Sequence, residues 1–119
     1  MISSERIFNI KNEKEFDGLA LELFLHQYNH CKPYHEYVDM AGISPDKISS
    51  WKDIPCLPIE TFKHRDVYCG EKEAQTTFTS SCTSGMTPSR HLVGDLALYE
   101  ESFSKGFEQF YGDITESAL

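Results

Sequence analysis

The sequence predicts a single domain of mixed α/β or α+β architecture over residues 1–119. Apolar residues recur at helical spacing near both ends of the chain, from Lys14 to His30 and from Leu96 to Phe110. Between them, "AQTTFTS" and "RHLV" have the Thr, Phe and Val content of short strands, and they bracket a loop dense in hydroxyls. An apolar content of 39% with 13% aromatics is that of a globular chain of one-domain size.

The first long helix is expected from Lys14 to about His30, where Phe16, Leu19, Leu23, Phe24 and Tyr28 line one face and Leu21 and Leu25 widen it. So broad a stripe is expected to be buried on more than one side. Gly18 lowers the local propensity by about 1 kcal/mol relative to Ala, so packing must hold this helix. Pro33 ends it or opens the next element, a shorter helix from Tyr34 to Ala41 that stops near Gly42 in a left-handed cap. Phe16, Phe24, Tyr34 and Tyr37 are read as core.

The stretch "ISPDKISSWKDIPCLPIETFKHRDVY" follows. Pro45 opens a turn of helix, Trp51 and Ile54 offer large apolar contacts, and Pro55 with Pro58 fixes two backbone angles, making a stiff crossing. "KHRD" reads as exposed. After the strand, loop and second strand, Asp95 is placed to cap a helix carrying Leu96, Tyr99, Phe103, Phe107 and Phe110 on one face, with Gly112 as its terminator. Residues Ile114 to Leu119 read as frayed or cut.

The formal net charge of -8 argues against a broad nucleic-acid or anionic-membrane surface, both of which depend on accumulated Lys and Arg. Met1 to Ile10 lacks the apolar core of a signal peptide, and no run approaches the roughly 20 apolar residues of a membrane span. A cytoplasmic location is the expectation. The four cysteines, at positions 31, 56, 69 and 82, form no CxxC pair and are read as free thiols, mostly buried or half-buried. His26, His30 and Cys31 lack a second cluster to complete a metal site.

From Thr76 to Ser89 nine of fourteen residues carry hydroxyls. Short hydroxyl side chains and exposed amides can converge on phosphate oxygens, and Arg90 or His91 can add positive charge. Neither GxxxxGK[ST] nor GxSxG is present, and no carboxylate pair is spaced for acid and base work. Composition alone fits a plain solvent loop as well as a phosphate site.

The ordered string is more specific. "FTSSCTSGMTPSRH" resembles the phosphate-binding loop of the adenylate-forming enzymes, the acyl-CoA synthetases and their relatives. Within that superfamily it is most similar to the acyl-protein synthetases of the bacterial luciferase system. The flanks "WKDIPCLPIETFK" and "HLVGDLALYEESF" resemble the same family. The resemblance implies a partial N-terminal subdomain of such an enzyme, with helices packed on short strands about the loop. By position, Ser80, Ser81, Thr83, Ser84 and Gly85 match the loop that closes on ATP phosphates, and Ser89, Arg90 and His91 match its exit. Cys82 stands at the family's first glycine.

The implied reaction uses ATP and Mg²⁺ to turn a carboxylic acid, expected to be a fatty acid, into an acyl adenylate and passes the acyl group to a thiol. An acyl-CoA reductase is the implied partner. The adenine, ribose and Mg²⁺ ligands, the late catalytic lysine and the acceptor cysteine would lie beyond Leu119, so these residues are expected to be an N-terminal piece, inactive alone. The alternative is a non-catalytic interaction protein derived from the family. Either way the final aromatic helix is expected to expose an apolar patch or to cover it by self-association.

Overall fold

The computed structural model describes residues 3–70, 72–80 and 87–112. Its architecture is mixed α/β. In chain order the elements are α1 (Ser4–Phe8), α2 (Glu13–His30), α3 (Lys32–Met40), single 3₁₀ turns at Pro45–Lys47 and Trp51–Asp53, α4 (Thr61–His64), β1 (Thr76–Thr79), β2 (Arg90–Val93) and α5 (Leu96–Tyr111).

Local chemistry sets the boundaries. Asn12 Oδ1 accepts the Glu15 N–H at 2.8 Å while Glu15 Oε2 accepts the Lys11 N–H at 2.9 Å, a reciprocal cap that starts α2. Cys31 adopts an extended conformation between two helices: its N–H donates to Gln27 C=O at 2.8 Å, and its own C=O accepts from His35 N–H at 2.9 Å. Pro33 therefore falls in the first turn of α3, where a missing N–H breaks no helical bond. The helix starts two residues ahead of the expected Tyr34 for this reason. It ends as expected at Gly42, whose φ is +72°, with Gly42 N–H donating to Asp39 C=O at 3.1 Å and Ile43 N–H to Val38 C=O at 3.2 Å.

The core sits in the α2–α3 elbow. Phe24, Cys31, Tyr34 and Val38 are buried, and Tyr28, Tyr37, Ile48, Ile54, Leu57 and Val67 pack around them. Phe24 meets Tyr34 edge-on at 6.1 Å. The Tyr34 hydroxyl donates to Pro55 C=O at 2.6 Å, which ties the proline-stiffened crossing to the core. Burial, above all, pushes the Tyr34 phenol up to about 12.

One expectation is corrected. Phe16 is not core: it is 44% exposed and stands edge-on to Trp51 at 5.6 Å on the outer side of α2, where Trp51 N–H donates to Asp17 Oδ1 at 2.6 Å. The broad α2 stripe is buried on more than one side, as expected: Leu19 and Phe24 lie five positions, about 140° of helix, apart, with Phe24 in the elbow core and Leu19 beside α1. Among the described cysteines Cys31 is buried and Cys69 half-buried, as expected of most of the thiols, and Cys56 is exposed.

Two short helices went unread in the sequence. In α1, Ser3 Oγ accepts the Arg6 N–H at 3.4 Å, and the Arg6 guanidinium forks onto Glu22 of α2 at 3.1 and 2.9 Å. In α4, a single turn starts where Thr61 N–H donates to Pro58 C=O at 3.0 Å.

At the other end α5 begins where Asp95 accepts the Leu98 N–H at 3.1 Å and ends at Gly112, φ +82°. It carries no buried residue, so the aromatic face that its helical pattern would bury against a sheet or another helix lies largely open instead. The radius of gyration, 16.7 Å, exceeds the roughly 13.5 Å of a compact domain of this length, in keeping with a helix that stands away from the core. No helix among the described residues is long and apolar enough to cross a membrane.

Candidate functional site

The hydroxyl-rich segment is held at its neck by β1 and β2. The strands pair antiparallel with Thr76 opposite Val93, Thr77 opposite Leu92, Phe78 opposite His91 and Thr79 opposite Arg90. The ladder continues one step into the loop. Ser80 N–H donates to Ser89 C=O at 3.0 Å, and Ser89 N–H donates to Ser80 Oγ at 2.9 Å. The two ends of the loop are thus locked by a backbone bond and a side-chain bond together.

Ser89 is a buried polar residue, 7% exposed, and its Oγ is hydrogen-bonded to His91 Nε2 at 3.0 Å. That bond satisfies a hydroxyl that burial would otherwise penalise. The His91 ring lies stacked on Phe62 of α4, with centroids 5.0 Å apart. Next to it Arg90 pairs with Asp66, just past the end of α4. Its guanidinium is therefore already matched with a carboxylate at the loop exit.

Four of the expected site residues, Ser80, Ser89, Arg90 and His91, come together at this neck. Ser81, Thr83, Ser84 and Gly85, and Cys82 with them, lie outside the described residues. Phe62, Asp66 and Tyr68 were not anticipated at the site. Tyr68 lies between Gly70 and Gly94, so close that a Cβ on either glycine would collide with its phenol. Nothing in a single sequence pairs position 66 with 90 or 62 with 91.

Beside the neck runs a cleft of about 530 Å³ whose lining includes Tyr34, Leu57, Phe62 and Leu92 and the thiols Cys31, Cys56 and Cys69. Burial raises the Cys69 thiol above its ordinary value, so it holds its proton and is a poor nucleophile at neutral pH. Among the described residues no three His, Cys, Asp or Glu side chains group as a metal-ligand set.

This mixed α/β arrangement of short strands and helices is consistent with a subdomain of an adenylate-forming enzyme. The family model described as "Acyl-protein synthetase, LuxE" matches residues 3–102, and the chain belongs to that family. It is 36% identical over 77 residues to the long-chain-fatty-acid--luciferin-component ligase of Photorhabdus luminescens. That alignment takes in 64% of this chain and 66% of the relative, a little under two thirds of its length. No solved structure matches the chain.

Proposed function

We propose that this chain supplies the phosphate-binding part of an ATP-dependent acyl-protein synthetase. In that enzyme a carboxylic acid, of the long-chain fatty class that the Photorhabdus relative's name carries, attacks the α-phosphorus of ATP. Pyrophosphate leaves, and a thiol then takes the acyl group from the acyl adenylate as a thioester, with AMP leaving, for a reductase partner. The loop amides and hydroxyls of Ser80, Ser81, Thr83, Ser84 and Gly85 take the phosphate oxygens, while Ser89, Arg90 and His91 shape the exit. Mg²⁺ is expected with the nucleotide, but the described residues offer it no ligand set and none is assigned.

The observation that carries this reading is the double Ser80–Ser89 lock on a hydroxyl-rich loop in a chain of this family. A loop whose ends are already fixed loses less conformational freedom when it closes on a ligand. We place only the phosphate end of the site in these 119 residues, so ATP affinity of the chain alone is expected in the high micromolar range or weaker.

Calorimetric titration of Mg²⁺–ATP into this chain and into one extended by the remaining family sequence tests the reading, with acid-dependent pyrophosphate release followed in both. Weak binding by the first and pyrophosphate release by the second are expected. An extended protein that neither binds ATP nor releases pyrophosphate with any carboxylic acid removes the ligase reading. Robust release by the 119 residues alone removes the view that they are only part of the site.

The open aromatic face of α5, with Phe103 53% and Phe110 78% exposed, favours a second reading: a non-catalytic protein that keeps the family's subdomain and binds other chains through that face.

A further inference from the structure

The link between the helical core and the loop is a short bracket centred on α4. Its far end is anchored to the core, because Arg65 pairs with Glu36 of α3. The next residue, Asp66, pairs with Arg90, and one turn earlier Phe62 stacks on His91 at 5.0 Å. Adjacent strand residues send their side chains to opposite faces of a ribbon, so Arg90 and His91 leave β2 on different sides. One bracket nevertheless engages both. Its own geometry is stiff: Pro58 opens the turn, with successive bonds from Thr61 N–H to Pro58 C=O at 3.0 Å and from Arg65 N–H to Thr61 C=O at 2.9 Å.

From the bracket the contacts run to the loop neck without a gap. Phe62 holds the plane of the His91 ring, His91 Nε2 holds Ser89 Oγ at 3.0 Å, and the Ser89 backbone is locked to Ser80. We propose that Phe62 is a positioning residue: through His91 and Ser89 it sets the width and orientation of the loop exit. The inference deepens the phosphate-loop reading and rests on it for its effect on ATP, but the mechanical claim concerns only contacts within this chain.

The experiment is amide hydrogen exchange with NMR of the His91 imidazole on the whole chain, comparing the wild type with Phe62→Leu and Phe62→Tyr. An aromatic pair contributes enough beyond its buried area that losing one ring should speed exchange at Ser80 and Ser89 by about two- to tenfold. Phe62→Leu should do this and remove the ring-current shift on His91, while Phe24 and Val38 keep their protection. Phe62→Tyr, which retains a ring, should restore both signals. Unchanged exchange at Ser80 and Ser89 in Phe62→Leu, or a rise of equal size in the α2–α3 core, overturns the proposal. Should Phe62→Leu fail to fold, His91→Gln must give the same loosening at the neck, and its absence is equally fatal. Mg²⁺–ATP titrated into the same samples separates the two ideas: a loosened neck with ATP affinity unchanged leaves the positioning role intact and removes the phosphate reading.

Discussion

Glu36 on α3 and Arg65 at the end of α4 form an ion pair that ties the helical core to the segment feeding the loop. The hydrogen bond from Arg65 is the main reason that the Glu36 carboxyl lies below its ordinary value of 4.5, with partial desolvation opposing it and the charge of Arg65 adding to it. The unfolded chain thus takes up this proton at higher pH than the folded one. The pair's contribution is present in full above pH 4.5 and disappears as pH falls through the lowered folded value. Glu36→Gln should lower the urea midpoint at neutral pH and leave a flatter fall below pH 4.5 than the wild type shows. The pair is half-exposed, so the change should be small, and parallel wild-type and variant curves would rule out the coupling.

The start of α5 is held from two directions. Asp95 accepts the Leu98 N–H at 3.1 Å, and Gln75, just before β1, accepts the Leu96 N–H at 2.8 Å through its side chain. Asp95→Ala should cost about 0.5–2 kcal/mol of helix stability. Because α5 buries none of its residues, the loss should appear as local fraying, with reduced helical circular dichroism and faster exchange in the first turn. A drop in the global unfolding midpoint with the first turn still protected would contradict it.

Tyr68 cannot yield to a new methyl group on one side without meeting the glycine on the other. Gly94→Ala should therefore destabilise by about 1–3 kcal/mol, the usual cost of overpacking. Tyr68→Ala removes the obstacle, so the double variant should be less destabilised than the two single changes summed. Additive values in a denaturant-based double-mutant cycle would mean the phenol is not wedged.

The face of α5 carries an aromatic run in which Phe78 of β1 meets Tyr99 at 5.2 Å and Tyr99 meets Phe103 at 5.7 Å, all three exposed. A dimer or higher oligomer is the expected state, and Phe103→Asp should shift sedimentation toward the monomer. A compact wild-type monomer that binds no hydrophobic dye would exclude this.

Much of the local structure was legible because short-range chemistry dictates it. Both strands, the Asp95 cap, the left-handed stop at Gly42 and the terminator at Gly112 fall where the turn and cap residues put them. The short helices were not, since α1 depends on the distant Arg6–Glu22 fork and α4 on a single proline-initiated turn. Phe16 misled because period alone cannot tell a core face from an outer one, and its partner Trp51 lies 35 positions away. At the site, Ser80, Ser89, Arg90 and His91 were readable as a motif. Their holders, Phe62 and Asp66, were not, because those contacts form only when the crossing folds back onto β2.

The three thiols that share the cleft differ by degrees in access: Cys56 is exposed, Cys69 half-buried with its proton held tightly, and Cys31 buried at the α2–α3 elbow. With Cys82 replaced by serine, the chain carries its own graded clock. A maleimide should mark Cys56 at once, Cys69 as the cleft breathes, and Cys31 only when the elbow itself comes apart. Timed alkylation read by mass spectrometry would then give the order in which the layers of this domain open, from its surface to its hinge, without any added label site.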